Sequence, residues 1–206
     1  MLNLEAIRTA KVSSNPYPFC VITNSIQEDS LSNVGSFFPT ISHPGSIPME
    51  SVNYEPIFGQ LLAQLEGDEF RQIIEEKFDI DLHEKPTMVT LRGLMRKKDG
   101  RIHTDSKTKL ITVLLYFNDE WNSSDGQLRV LNNGQDLDNY VAEIPPLLGT
   151  MVIFKVTDNC WHGHTPLEGK RLSIQLNYLI GDSAKNKHQF FHRLSAKIKN
   201  LFNSSY

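Results

Sequence analysis

Cysteine is scarce in this sequence, long apolar runs are missing, and neither sign of charge dominates. The two cysteines, Cys20 and Cys160, have no CxxC spacing and are too few for a disulfide framework. No window approaches the roughly 18 consecutive apolar residues of a membrane span. The N-terminal MLNLEAIRTAKV carries Glu5 and lacks the continuous apolar stretch of a secretory signal. We therefore expect a cytoplasmic protein without a transmembrane segment.

The net charge of −3 gives no electrostatic reason to expect a nucleic-acid partner. At 206 residues the chain is long enough for one well-buried core. These bulk properties leave the oligomeric state undecided. They direct attention to the motifs along the chain.

Strand patterns dominate the sequence after Pro86. Short apolar segments follow one another there, separated by turns rich in Gly, Asn, Asp and Pro. The segments are TMVTLRGLM, KLITVLLYF, GQLRVL, NYVAEI, TMVIFKV and RLSIQLNYLI. No helix-length stretch separates them, which disfavours a parallel α/β sheet. The pattern predicts a mainly β protein, with a sandwich or barrel at its centre.

Helical patterns flank this region. Apolar residues recur at helical spacing over 55–78, with Pro56 in a first turn and a break at Gly67–Asp68. Residues 1–54 are irregular apart from one predicted strand in PFCVITNSI. We interpret 1–206 as a single domain, in which 1–85 supply a strand and helices that support the core. We expect residues 86–181 to form the β core and 182–206 to form an amphipathic C-terminal helix.

The stretch RIHTDSKTKL places a histidine and an aspartate two residues apart at the start of a predicted strand. On an extended backbone His103 and Asp105 point to the same side. A third ligand from a distant strand is available in CWHGHTP, as His162 or His164. Two histidines and one carboxylate form the facial triad typical of non-haem Fe(II) oxygenases. HxD alone is a frequent chance pattern, so this interpretation depends on the residues downstream.

The strand RLSIQLNYLI alternates between an apolar and a polar side. The apolar side consists of Leu172, Ile174, Leu176 and Tyr178, and the polar side of Arg171, Ser173, Gln175 and Asn177. The polar side either faces solvent or lines a cavity for an anionic ligand. Because a guanidinium binds a carboxylate through two parallel hydrogen bonds, Arg171 with Ser173 beside it suits one end of a dicarboxylate.

Taken together, HTD at 103–105, WHGHTPLEGKR and the following RLS resemble the 2-oxoglutarate/Fe(II)-dependent oxygenase superfamily, in its prolyl-4-hydroxylase-like branch. In that branch a proline follows the distal histidine by four residues and an arginine follows it by nine. His162, Pro166 and Arg171 meet this spacing. The resemblance therefore favours His162 as the metal ligand and gives His164 a supporting or substrate-side place. The opposite assignment of these two neighbours stays open.

The resemblance covers roughly 87–179 and implies a double-stranded β-helix, the jelly-roll core also seen in cupins. It further implies that the far carboxylate of 2-oxoglutarate reaches Arg171, Ser173 and Tyr116. Arg92 is a candidate wall residue of the site, and Trp121 is a candidate at its entrance. The loops 31–54 and 118–126 are expected to cover the pocket mouth.

The activity implied by the resemblance is hydroxylation of an unactivated C–H bond with Fe(II), 2-oxoglutarate and O2, and it admits ascorbate as a further cofactor. An intact Asp105 favours hydroxylation over halogenation. The prolyl-4-hydroxylase-like motifs favour proline in a peptide or protein as the substrate, and a glycan, a free amino acid or another small metabolite is the alternative. A non-catalytic jelly-roll binding module and a cupin-like metalloenzyme without 2-oxoglutarate are alternatives of other classes.

Overall fold

The predicted strands after Pro86 form in the computed structural model, which describes residues 1–183 and 186. Their bounds are β3 (Thr87–Met95), β4 (Lys109–Tyr116), β5 (Leu128–Leu131), β6 (Tyr140–Ile144), β7 (Met151–Lys155), β8 (His162–Gly163) and β9 (Gly169–Leu179). Two earlier strands, β1 (Phe19–Ile22) and β2 (Ile47–Pro48), join them. The predicted C-terminal helix over 182–206 lies outside the described residues, apart from the few at its start.

The strands make two antiparallel sheets. The larger sheet has the order β1-β7-β4-β9-β3-β2, and the smaller has the order β6-β5-β8. Neighbours in the larger sheet are distant in sequence, because β9 lies between β3 and β4. The smaller sheet faces this arrangement from one side. These two sheets confirm the predicted mainly β fold with a jelly-roll core.

Alternation along the strands gives the larger sheet two different faces. Met151 and Ile153 of β7 join the apolar cluster that includes the helices, whereas Val152 and Phe154 face the smaller sheet. In β9 the apolar side predicted from the sequence packs toward the helices. The face toward the smaller sheet is the inner face, and the face toward the helices is the outer face. Aromatic and aliphatic side chains fill the inner face near β1 and β7, and its other end is open for a polar pocket.

Two helices lie where helical spacing predicts them, α3 (Pro56–Leu65) and α4 (Asp68–Phe78). Pro56 opens the first turn of α3, where its missing N–H breaks no helical hydrogen bond. Gly67 caps α4, and Asp68 and Glu69 place negative charge at the positive end of its dipole. The buried stripes of both helices cover the outer face of the larger sheet.

The prediction that residues 1–54 are irregular apart from one strand was wrong, because this part of the chain also holds two helices, β2 and a 3-10 turn. Helix α1 (Leu4–Thr9) begins at an Asn3 side chain that accepts a hydrogen bond from the Ala6 backbone N–H. Helix α2 (Glu28–Ser36) contains Ser, Asn and Gly, and buries only Val34. Because the first helix is very short and the second has weak helix formers, local sequence gave little helical signal. A 3-10 turn at Met49–Ser51 follows β2.

Candidate functional site

A polar pocket of about 350 Å³ opens between the larger sheet and the smaller one. Its walls come from alternate residues of neighbouring strands, because side chains on one face of a sheet recur every second position. These residues are Met88, Thr90 and Arg92 of β3, Thr112 and Leu114 of β4, and Arg171, Ser173, Gln175 and Asn177 of β9. The polar side of β9 therefore lines a cavity, which was one of the two alternatives left open by its sequence.

A backbone pairing joins the two histidines at one end of the pocket. His103 and His162 each donate a backbone N–H to the other's carbonyl, both at 3.0 Å. This antiparallel bridge lies between the segment after β3 and strand β8, and it brings the ring centroids to 4.3 Å. Two segments some 60 residues apart in the chain thus present both imidazoles to one place.

Hydrogen bonds fix which ring nitrogen of each histidine faces the pocket. The Nδ1 atom of His103 lies 2.8 Å from the carbonyl oxygen of Arg101, and Nδ1 of His162 lies 2.8 Å from that of Cys160. A carbonyl only accepts, so Nδ1–H donates and Nε2 keeps its lone pair. Burial, helped by the neighbouring His103, lowers the pKa of His162 to about 4. Its imidazole is therefore neutral at pH 7, as metal binding requires.

Asp105 completes the cluster and is held from two sides. Its Oδ1 accepts from Lys109 Nζ at 2.9 Å, and its Oδ2 accepts from the Thr112 hydroxyl. Burial alone would raise the pKa of Asp105, but Lys109 and the other neighbours outweigh it and lower the pKa to about 2. Behind Thr112 the chain of donors continues, since Asn177 Nδ2 donates to Thr112 Oγ1 at 2.8 Å. The carboxylate is thereby ionised and oriented by both β4 and β9.

One ligand atom from each of His103, Asp105 and His162 lies within 4.8 Å of the others. Two imidazoles with free Nε2 atoms and one ionised carboxylate fit the donor set of a facial Fe(II) site. His164 also lines the pocket but does not join this group. Its backbone N–H donates to Gly100 O at 2.8 Å, and its ring packs against Gly100, where a Cβ would lie 2.1 Å from the imidazole.

Arg171 provides the positive charge on the β9 wall of the pocket. Although its side chain is buried, its Nε donates to Gly126 O at 2.7 Å and its Nη2 to Tyr116 Oη at 3.2 Å. Burial raises the pKa of Tyr116, which keeps its hydroxyl protonated. Ser173 is the cross-strand partner of Tyr116. The remaining N–H groups of Arg171 and the Ser173 hydroxyl can meet a carboxylate.

Residues 93–179 match the sequence model of the 2OG-Fe(II) oxygenase superfamily. This segment is similar to that superfamily. Members of that superfamily use Fe(II) and 2-oxoglutarate, and the donor set formed by His103, Asp105 and His162 in this chain fits the metal. Among curated protein sequences, no relative matches the chain.

Solved structures share the fold of this chain. A prolyl-4-hydroxylase from Pseudomonas putida is 18% identical, with a TM-score of 0.54 over 85% of this chain and 96% of that one. A prolyl 4-hydroxylase from Phytophthora capsici is 13% identical, with a TM-score of 0.50 over 78% of this chain and 58% of that one. At these identities the likeness concerns the arrangement of strands and helices.

Sequence reasoning missed the residues that hold the carboxylate of Asp105 in place. Lys109 and Thr112 bind Asp105, and Asn177 binds Thr112. A signal existed for Asn177, which lies on the polar side of β9. No comparable signal existed for Lys109, because the irregular register between Lys109 and Ile111 turns its side chain toward the pocket.

Trp121 is not one of the residues that line the pocket. Its indole N–H donates to Asp125 O at 3.1 Å, and its ring packs on Gly126, so it stabilises the loop before β5. The expected cover of the pocket is also mostly wrong. Of the two loops, 31–54 contributes only Ser46 to the pocket wall and 118–126 contributes nothing. Helix α2 occupies part of the first of these segments.

Proposed function

We propose that the protein is an Fe(II)- and 2-oxoglutarate-dependent dioxygenase that hydroxylates an unactivated C–H bond, with proline in a peptide or protein as its substrate. The observation that carries the proposal is one pocket in which a 2-His-1-carboxylate donor set faces a buried arginine. The metal requires the donor set, and a dicarboxylate cosubstrate requires the cation. A binding module without catalysis has no need for both.

In this proposal His103 and His162 bind iron through Nε2 and Asp105 binds it through its carboxylate. Lys109 and Thr112 hold that carboxylate in position, and the backbone carbonyls of Arg101 and Cys160 orient the two rings. Iron, 2-oxoglutarate and O2 together supply the oxidising chemistry, which yields succinate, CO2 and a hydroxylated substrate. The protein contributes donor placement, charge and exclusion of water.

Arg171 binds the far carboxylate of 2-oxoglutarate, assisted by Ser173 and the Tyr116 hydroxyl. Because Arg171 is buried, its charge is poorly screened and a carboxylate there replaces water contacts with charge-assisted hydrogen bonds. Tyr116, which stays protonated, can donate to the same oxygen atoms. With the far carboxylate at Arg171, the 2-oxo acid group of 2-oxoglutarate is left to face the metal ligands.

Proline as the substrate is supported by the spacing of His162, Pro166 and Arg171 and by the fold shared with two prolyl 4-hydroxylases. The two cysteines are free and buried, which is consistent with a reducing cytoplasm. Among the described residues, no helix is long and apolar enough to cross a membrane. A glycan, a free amino acid or another metabolite is the alternative substrate within the same chemistry.

The test measures succinate formed from 2-oxoglutarate with Fe(II) and O2, in the presence of proline-containing peptides. Mass spectrometry of the peptides reports the gain of one oxygen atom. His103→Ala removes a ligand and should abolish turnover, whereas Arg171→Gln should weaken 2-oxoglutarate binding at least about 30-fold.

The matched control is Arg8→Gln, an exposed arginine paired with Glu76 on the far helices, which removes the same charge. It should leave both measurements unchanged. Absence of iron and 2-oxoglutarate binding in the wild-type protein would contradict the enzyme proposal. Turnover with a metabolite but with no peptide would contradict the proline assignment alone.

A further inference from the structure

Arg92 is a second arginine in the pocket. It lies on β3 directly opposite Ser173 of β9, and Ser173 in turn lies opposite Tyr116 of β4. The strand pairing shifts between Arg92 and Leu94, a bulge that accommodates Gly93. A Cβ at Gly93 would lie 2.3 Å from Ile41, so the chain cannot carry a larger residue there without moving that loop. Arg92 is the last β3 residue before this shift, so it shares the face of Met88 and Thr90 and lines the pocket with them.

Within the part of the chain that the structure describes, the Arg92 guanidinium makes no hydrogen bond and no ion pair. The acidic groups closest to it are engaged elsewhere. Asp99 binds the side chain of Arg96, and Asp105 binds Lys109 and Thr112. Burial, and then the charge of Arg171, lower the pKa of Arg92. A partly buried cation beside a second cation is unfavourable unless an anion joins them.

Counting charges in the pocket leaves two cations, Arg92 and Lys109, without a matching anion once the cosubstrate is bound. Among the lining residues, Arg92, Lys109 and Arg171 are positive and Asp105 alone is negative. Fe(II) is balanced by Asp105 and the near carboxylate of 2-oxoglutarate, and Arg171 is balanced by the far carboxylate. Lys109 keeps its hydrogen bond to Asp105. Of these two, Arg92 is the one without a hydrogen-bond or ion-pair partner among the described residues.

We propose that Arg92 binds a carboxylate of the substrate, separate from the carboxylates of 2-oxoglutarate. The inference rests on the proposed function, because it assumes that Arg171 and the metal take the cosubstrate. The carboxylate is either a free α-carboxylate at the hydroxylated residue or an acidic side chain next to it. Both sources offer the same two oxygen atoms to a planar guanidinium.

The experiment compares matched pairs of probes by isothermal titration, under argon, into protein loaded with Mn(II) and 2-oxoglutarate. For the free carboxylate the pair is N-acetyl-L-proline and N-acetyl-L-prolinamide. For the side chain the pair is acetyl-Pro-Glu-amide and acetyl-Pro-Gln-amide. In wild-type protein the acid of at least one pair should bind about tenfold or more tightly than its neutral partner.

Arg92→Gln should abolish that preference, Arg92→Lys should retain part of it, and Arg8→Gln should leave it intact. The pair that shows the preference identifies the source of the carboxylate. The affinity of all four proteins for 2-oxoglutarate, measured without probe, should agree within about threefold. Circular dichroism and the unfolding midpoint report whether Arg92→Gln is folded.

Three results would overturn the inference. One is equal affinity for acid and neutral partner, or no binding of any probe, in wild-type protein. Another is a preference that survives Arg92→Gln. The last is a tenfold or greater loss of 2-oxoglutarate affinity in Arg92→Gln, because Arg92 would then serve the cosubstrate. Failure of wild-type protein to bind Mn(II) and 2-oxoglutarate at all would contradict the proposed function itself, and is recognised before any probe is added.

Discussion

The two faces of the larger sheet differ in what they do, although they are made from the same strands. On the outer face Leu172, Ile174 and Leu176 pack with helices α3 and α4 in one apolar cluster. On the inner face the residues between them line a polar pocket. One strand, β9, thus contributes alternately to stability and to ligand binding. Substitutions one position apart should therefore have different kinds of effect.

The difference shows how the fold tolerates a polar pocket in its interior. Leu176 is fully buried, and its neighbour Gln175 faces the cavity and binds Asn177 at 3.3 Å. The outer face supplies apolar burial, which is the main source of folding free energy. The inner face can then carry buried polar groups, provided that they bind one another. They do so in one chain of hydrogen bonds, in which Asn177 donates to Thr112 and Thr112 donates to Asp105.

The largest effect should come from the metal end of the inner face. His162→Ala is expected to weaken Fe(II) or Mn(II) binding more than about 100-fold. This loss is larger than the loss caused by removing a residue that only hydrogen-bonds a metal ligand. His164→Ala should keep the affinity within about tenfold of wild type, since it removes no ligand. Anaerobic titration calorimetry measures both. Equal losses in the two variants would show that the assignment of His162 over His164 is wrong.

On the outer face the effect should be on stability. Leu176→Ala is expected to lower the free energy of unfolding by about 2–5 kcal/mol, because it leaves a cavity under the helices. The adjacent Gln175→Ala removes one hydrogen bond and should cost about 1 kcal/mol or less. Urea unfolding of both variants gives the comparison. Similar losses from the two would break the distinction between the faces.

The inner face should also make stability depend on pH. His162 and His164 are buried and their pKa values are lowered to about 4, chiefly by burial. The unfolded chain binds protons near pH 6.5 and the folded chain does not, so stability is complete above that pH. It should fall by up to about 2 kcal/mol for each histidine between pH 7.5 and 5.

Urea unfolding of metal-free protein at the two pH values measures this loss, and His164→Gln should reduce it. The pKa of Asp105 is lowered to about 2, so its contribution is present above pH 4 and is lost only between about pH 4 and 2. It does not add to the change between pH 7.5 and 5. A flat profile over that range would contradict the buried, neutral state of the histidines.

The smallest expected effect comes from a residue that hydrogen-bonds a metal ligand but is not itself a ligand. Thr112→Val keeps the shape of the side chain but removes its hydrogen bond to Asp105, and should weaken metal binding about tenfold. Thr90→Val is the control, since Thr90 lines the same pocket and makes no side-chain hydrogen bond among the described residues. Loss of affinity in both variants alike would mean that pocket polarity, rather than the bond to Asp105, sets the affinity.

The sequence predicted those parts of the molecule that follow from local periodicity. The strands after Pro86 and the helices α3 and α4 have clear alternation or helical spacing, and the two faces of β9 could be assigned from its letters alone. The same holds for the grouping of His103 with Asp105, because two residues on one extended segment share a side. These predictions needed no knowledge of which strands are neighbours.

Features that depend on long-range pairing could not be predicted in this way. Strand β8 contains only His162 and Gly163, and exists because β5 and His103 pair with it. Lys109 reaches Asp105 through an irregular strand register, and Trp121 binds its own loop and does not line the pocket. Strand β8 and the position of Lys109 are set by pairing between segments distant in sequence, whereas Trp121 binds a residue four positions further along the chain.

The hydrogen bonds that Arg171 makes to Gly126 and Tyr116 also affect the entropy cost of binding a carboxylate in the pocket. A free arginine loses about 2 kcal/mol of rotamer entropy when it is immobilised. In this protein the fold already holds the side chain before any carboxylate arrives, so that loss belongs to folding rather than to binding. The affinity for a carboxylate at Arg171 should therefore be nearly free of the entropic penalty of ordering the side chain.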